Sequence, residues 1–247
     1  MMRLYDHLIS EFRQMLEPYR MHCTVRDVAP DCFAWESREG QVLLKSEAAT
    51  ELGGGNLPAV SGMLCTCLHA GAEPEADAGT PPTVSGRKVM LYGPDLPALK
   101  GDVPYARVML VNVREEFTAE EYKLYNLFRS IEYLRYRVNP KGYMPRISTA
   151  QSREQVRVSA DAVGSGLDFF KVGRVYGDAC LKHPAVESAE TFFITLDGFD
   201  YKALQNLFDR AERITMSLEH SLNHLSMDCA TCNLRWVCDE VEACLKT

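Results

Sequence analysis

Residues 107–137 read RVMLVNVREEFTAEEYKLYNLFRSIEYLRYR, and the change of pattern inside them sets the fold class. The first seven, 107–113, are mostly apolar and of strand length. From residue 118 onward the apolar positions recur at helical spacing, so 118–137 is expected to be a helix. Thr118 is the expected N-cap, with Glu121 three residues later completing a capping box. Asn139-Pro140-Lys141-Gly142 then stops the helix, because proline and glycine do not continue one.

The same alternation runs outward in both directions. Toward the N-terminus, 88–92 is an expected strand, joined to 107–113 by a loop holding Gly93-Pro94-Asp95 and Gly101-Asp102. Residues 71–86 are rich in Gly, Pro, Ala and acid and read as a surface loop. Residues 60–68 are apolar and read as a buried strand. Gly53, Gly54 and Gly55 leave the backbone free to take positive φ. Short strands are expected at 32–37 and 42–45. Leu4, Leu8, Ile9, Phe12 and Met15 predict a helix over 3–16. Toward the C-terminus, 155–159 is a short strand. A helix starts near Ser159, breaks around 164–166 and resumes from Leu167 toward Leu181. Residues 191–196 form a strand. A long helix over 200–225 carries Leu204, Leu207, Phe208, Ala211, Ile214, Leu218 and Leu222 on one face. No internal repeat is visible. The expectation is an α/β or α+β body over 1–225, a mixed sheet with flanking helices and a long C-terminal helix, followed by a cysteine-rich metal-binding tail over 226–247.

Composition narrows the function classes. With 46% hydrophobic residues in 247, the chain can build a core without covalent staples. A formal net charge of -7 repels a phosphate backbone, which argues against nucleic acid as a partner. No apolar run approaches the ~18 residues of a membrane span. The first sixteen residues interleave charges with apolar positions, unlike a signal peptide. A cytoplasmic location is therefore expected. Nine cysteines in that compartment read as ligands, buried thiols or redox groups and not as disulfides.

Four of those cysteines crowd residues 227–247, MDCATCNLRWVCDEVEACLKT, at the spacing C-x2-C-x5-C-x5-C. Two cysteines separated by two residues can aim both sulfurs at one centre, and Cys238 can close over it. Thiolates need a compensating cation, which a metal supplies. Four sulfurs suit tetrahedral zinc or a [4Fe–4S] cluster. Structural zinc sites usually pair two C-x2-C knuckles, and here only one exists. The longer later gaps favour the larger cluster, with zinc as the alternative. Leu234, Trp236 and Val237 would shield such a cluster from water. The expected ligands are Cys229, Cys232, Cys238 and Cys244. Cys244 sits three residues from the end, where a fraying terminus makes a poor ligand. A cysteine of the body, an Asp or Glu, or an external molecule is the alternative fourth ligand.

Other features have plainer readings. Cys65-Thr66-Cys67, with His69 nearby, has the form of a square-planar nickel or copper site. In a strand, however, Cys65 and Cys67 point to one face as small buried residues. His220 and His224 have metal-ligand spacing, but two histidines near a helix C-terminus are also favoured by its dipole. No Ser-His-Asp order, P-loop or dinucleotide fingerprint occurs.

Several patches resemble the acetyl-CoA synthase family, the β subunit of the carbon monoxide dehydrogenase/acetyl-CoA synthase complex. They are Glu51-Leu52-Gly53-Gly54-Gly55 with Pro58-Ala59, the Gly93-Pro94-Asp95 loop, Ala150-Gln151-Ser152-Arg153 through Val156-Arg157-Val158-Ser159 with Gly166, and the strand and long helix leading into C-x2-C. The resemblance covers roughly residues 48–238. It implies cluster ligation by Cys229 and Cys232, with Cys238 as third ligand. It also places Arg153 and Arg157 in a region concerned with coenzyme A, where guanidinium groups match phosphate oxygens. The alternative is a pair of ordinary surface ion-pairing arginines. The later cysteine gaps are shorter than in that family, and the nickel-binding Cys-Gly-Cys that follows there is absent from these residues. The resemblance therefore implies the fold, a cluster, a protein partner or membership of a larger complex, and not a complete acetyl-forming centre. The other reading is a non-enzymatic binding or assembly module whose tail is stapled by zinc.

Overall fold

The computed structural model describes residues 4–27, 42–66, 86–118, 121–148, 153–223, 237–238 and 241. Helix α1 (Asp6–Leu16) buries Leu8, Phe12 and Leu16 along one stripe. A 3-10 turn carries the chain into strand β1 (Cys23–Asp27). Strands β2 (Ala48–Leu52), β3 (Ala59–Thr66), β4 (Arg87–Tyr92) and β5 (Tyr105–Val113) follow. Then come α2 (Glu121–Glu132), α3 (Leu134–Arg137), β6 (Tyr143–Ser148), β7 (Arg153–Ser159), α4 (Ala160–Gly164), α5 (Phe169–Leu181), β8 (Val186–Ile194) and α6 (Tyr201–Asn223).

Five strands form a mixed sheet in the order β1-β4-β8-β5-β3. The β4–β8 and β3–β5 pairs are parallel, and β1–β4 and β5–β8 are antiparallel. Side chains alternate along a strand, so neighbours in sequence serve opposite faces. Phe192 meets Phe12 of α1 edge-on at 5.0 Å, while Phe193 meets Phe169 of α5 at 4.6 Å on the other face. Helix α6 lies on the α1 side. It approaches β3 so closely that a Cβ at Gly62 would sit 2.0 Å from the Phe208 ring. A second, antiparallel sheet, β2-β7-β6, packs on the α5 side of the large sheet beside the helix, against β3 and β5. Gly53 turns the chain from β2 toward β3 at φ 67°, and a Cβ there would collide with Ala59. One apolar core runs through both layers and includes Val237 and Val241 of the tail. No helix of the described residues is long and apolar enough to cross a membrane.

The mixed α/β architecture agrees with the sequence reading, and so do α1, α4 with its Ser159 cap, α5, α6 and the strands at 60–66, 88–92, 107–113 and 155–159. Four details differ. Residues 42–44 are irregular and Lys45–Glu47 is a 3-10 turn, with Val42 and Leu44 left in solvent instead of paired. Thr118 closes a 3-10 turn (Glu115–Thr118), and α2 is described over Glu121–Glu132. The helix read over 118–137 divides at Tyr133, where the Tyr136 N–H reaches back three residues to the Tyr133 carbonyl. The strand expected at 191–196 begins at Val186 and ends at Ile194, because its first half pairs with β5 beyond the apolar run. The strand read at 32–37 and the loop at 71–85 lie outside the described residues.

Candidate functional site

Strand β7 carries the chemistry on both of its faces. Its sequence, REQVRVS, alternates so that Arg153, Gln155 and Arg157 face outward while Glu154, Val156 and Val158 face the core. The outward face gathers three arginines, since Arg146 of β6 pairs in register with Gln155. Arg157 donates to the Glu51 carboxylate and, at 3.0 Å, to the Leu43 carbonyl. Arg146 stands 3.8 Å from the same carboxylate. Arg153 donates to the Gly55 carbonyl at 3.3 Å, and Gln155 to the Gly53 carbonyl at 2.9 Å. The glycine turn is thus held against the arginine face by its own carbonyls. The hydrogen bond from Arg157 holds the Glu51 carboxyl below the usual carboxylate range, against the opposing pull of burial. One carboxylate among three guanidinium groups leaves this face cationic within an acidic chain.

The inward face of β7 is different. Glu154 and Arg107 of β5 are both fully buried and form a two-pronged ion pair, with Nε donating to Oε1 at 3.0 Å and Nη2 to Oε2. The guanidinium carbon lies 4.0 Å from the Tyr176 ring centre, and Nη1 meets the Met109 sulfur at 3.3 Å. The hydroxyls of Tyr105 and Tyr143 bond to each other beside the pair. Burial drives all three tyrosine phenols up from their ordinary range, and Glu154 holds the Arg107 charge firmly in place despite burial. This cluster was not among the residues expected from sequence. Its signal was present, however: Glu154 is a charge on the apolar side of an alternating strand.

Of the four expected metal ligands, Cys238 is described and Cys229, Cys232 and Cys244 lie outside the described residues. Cys67 and His224 also lie outside them. Cys238 is partly exposed, and the Ser217 hydroxyl of α6 donates to its sulfur at 3.0 Å. Its neighbours Val237 and Val241 are buried. Cys65 and Cys180, by contrast, are inside the core, where burial pushes the Cys180 thiol up to about 12 and Cys65 higher still. These two thiols stay protonated and make poor ligands. Among the described residues, no group of three His, Cys, Asp or Glu side chains is placed to hold a metal ion.

One pair has the look of a nucleophile and its base. Ser130 Oγ lies 3.0 Å from His183 Nε2. However, the Ala185 N–H donates to His183 Nδ1, which leaves the ring proton on Nε2 pointing at Ser130. Ser130 in turn donates to the Leu127 carbonyl. The imidazole is a donor here, so it cannot take the hydroxyl proton, and burial disfavours its charged form. The pair is a tie between α2 and the turn after α5. The sequence matches no protein-family model, and no curated protein is significantly similar to it.

Proposed function

We propose that this chain is an iron–sulfur protein related to the acetyl-CoA synthase β subunit, acting in one-carbon, acetyl-CoA or redox metabolism as part of a larger complex. Cys229, Cys232, Cys238 and Cys244 hold a [4Fe–4S] cluster, and Arg153 and Arg157 take the phosphates of coenzyme A. The observation that carries the reading is the setting of Cys238. It is a thiol at the edge of the body, anchored by buried neighbours on both sides and reached by a hydroxyl donor. The two core thiols are buried and, among the described residues, lack the hydroxyl donor. A thiol donor set of this spacing fits the cluster chemically.

When bound, such a cluster supplies one-electron transfer. The chain's own residues do the rest. Val237 and Val241 fix the tail on the body, and Ser217 donates to the Cys238 sulfur, a contact of the kind that raises cluster potential. On the other site, Arg146, Arg153 and Arg157 supply planar donors for phosphate oxygens, and Glu51 keeps Arg157 oriented until an anion displaces it. The nickel-binding Cys-Gly-Cys is not in these 247 residues, which leaves cluster and coenzyme binding as the chemistry of this chain.

Iron and acid-labile sulfide analysis of anaerobically purified protein tests the first half. Equal, stoichiometric amounts of both are expected. Stoichiometric zinc without sulfide would replace this reading with a zinc-stapled assembly module. Titration with coenzyme A tests the second half, with Arg153→Ala and Arg157→Ala each expected to weaken binding.

A further inference from the structure

A cavity of about 300 Å³ lies where α2, α6 and β3 meet, with Tyr5 at the head of α1 closing one side. Its volume is at the small end of ligand sites, which run from roughly 300 to 1,000 Å³. The floor is shut. Gly62 and Cys65 of β3 are buried there, and the Phe208 ring lies directly over Gly62. Phe128 meets the Tyr5 ring edge-on at 5.4 Å and continues the apolar wall. The mouth is open to water, since Tyr133 is 56% exposed and Glu212 is also exposed. An occupant of such a space is a small molecule with an apolar body, entering from the mouth.

The polar groups of the lining are mostly acceptors. The Thr215 hydroxyl donates to the Ala211 carbonyl at 3.0 Å, one turn back in α6. Its single proton is then used, so the Tyr5 phenol is the donor in the 2.8 Å hydrogen bond between the two hydroxyls. Both oxygens keep only lone pairs. Arg129 brings a guanidinium to the lining, but it donates to Glu132 at 2.9 Å and to the Tyr125 hydroxyl at 3.3 Å, so its charge is answered within α2. Glu132 and Glu212 together set two carboxylates against that one cation, which leaves the described lining net negative. The rings of Tyr133 and Tyr136, with centres 5.9 Å apart, add π faces that attract a cation. Acceptors, negative charge and aromatic rings all suit a cation rich in donors, and none of them suits an anion. We infer that this cavity binds a small organic amine, its apolar body seated against Phe128 and Phe208 and its ammonium group directed at Glu212 and the tyrosine rings. The site shares no lining residue with the thiol tail or the arginine face, and it stands whether or not a cluster is bound.

The test is calorimetric titration of the full chain at neutral pH with phenethylamine. Saturable one-to-one binding is expected. Phenethyl alcohol, which has the same body without the charge, is expected to bind about tenfold more weakly. Hydrocinnamate, with the opposite charge, is expected not to bind measurably. Glu212→Gln, at an exposed position, is expected to weaken the amine roughly threefold and to leave the alcohol unchanged. Ala211→Leu adds bulk to the cavity wall and is expected to abolish binding of both, in protein whose circular dichroism is unchanged. Absence of saturable amine binding, equal binding of the alcohol, or parent-like amine binding by Ala211→Leu would overturn the inference. The three ligands compared on the parent chain, with Glu212→Gln, decide the matter even if Ala211→Leu does not fold.

Discussion

Strand β7 takes part in two arginine–glutamate pairs, one on each face. Glu154 meets Arg107 inward, where the two side chains are 0% and 1% exposed. Arg157 meets Glu51 outward, at 21% and 9%. The chemistry is the same and the consequences differ, because water differs. Inside, neither ion can leave its partner without standing uncompensated in an apolar layer. The pair therefore ties β7 of the small sheet to β5 of the large one. Outside, the guanidinium keeps solvent contact and has a second acceptor in the Leu43 carbonyl. That pair can exchange its anion, which is what a binding surface needs. A charge pair's role follows from the cost of separating it.

Breaking the inner pair is expected to have the largest effect. Glu154→Gln strands the Arg107 charge and should lower unfolding free energy by about 3–5 kcal/mol in urea titration. Arg107→Met combined with Glu154→Leu should recover most of that loss, since an apolar pair of similar volume carries no buried ion. A single-variant loss below ~1 kcal/mol would erase the contrast between the faces. Arg157→Ala should cost only about 1 kcal/mol by the same measurement, while weakening coenzyme A binding in the titration described above.

A pH series sharpens the outer pair further. The Glu51 carboxyl is held low by Arg157, so its contribution is complete above the unfolded value of about 4.3 and fades as pH falls through the lower folded value. The difference in denaturation midpoint between the parent and Glu51→Gln should therefore be constant from pH 7 to 5 and shrink below it. Tyr176→Phe should have the smallest effect. Its buried hydroxyl has no hydrogen-bond partner among the described residues, and the ring that faces Arg107 is kept. A change within about 0.5 kcal/mol is expected from thermal or urea unfolding.

Where local pattern and final structure agree, the pattern was carried by burial. The apolar strands and the striped helices were legible because each alternation reports which side meets the core. Where they disagree, another force decided. Strand β6 was hidden by Pro145, which removes an N–H. It survives because β6 is an edge strand, where a missing donor costs no ladder bond. Strand β1, CTVRD, is exposed along most of its length, so it shows no apolar face. Strand β2, AATEL, is equally weak in pattern and forms by pairing with β7. Residues 42–44 erred in the opposite direction, with Val42 and Leu44 apolar yet 75% and 58% exposed.

The candidate site divides in the same way. The cysteine spacing and the arginines of β7 are visible in the chain order alone. So are the two faces of β7, since period-2 alternation is a local property. The company those residues keep is not local. Glu154 finds Arg107 across 47 positions, Arg157 finds Glu51 across 106, and Ser217 finds Cys238 across 21. The sequence by itself determined the helices and strands that are buried on one side, the glycine turn and the clustered thiols, because neighbouring residues are enough to specify them. Only the tertiary structure decided which strands lie side by side, and which charge is dry and which is wet. Those depend on pairing distant segments, and their energies are set by the water that the pairing removes.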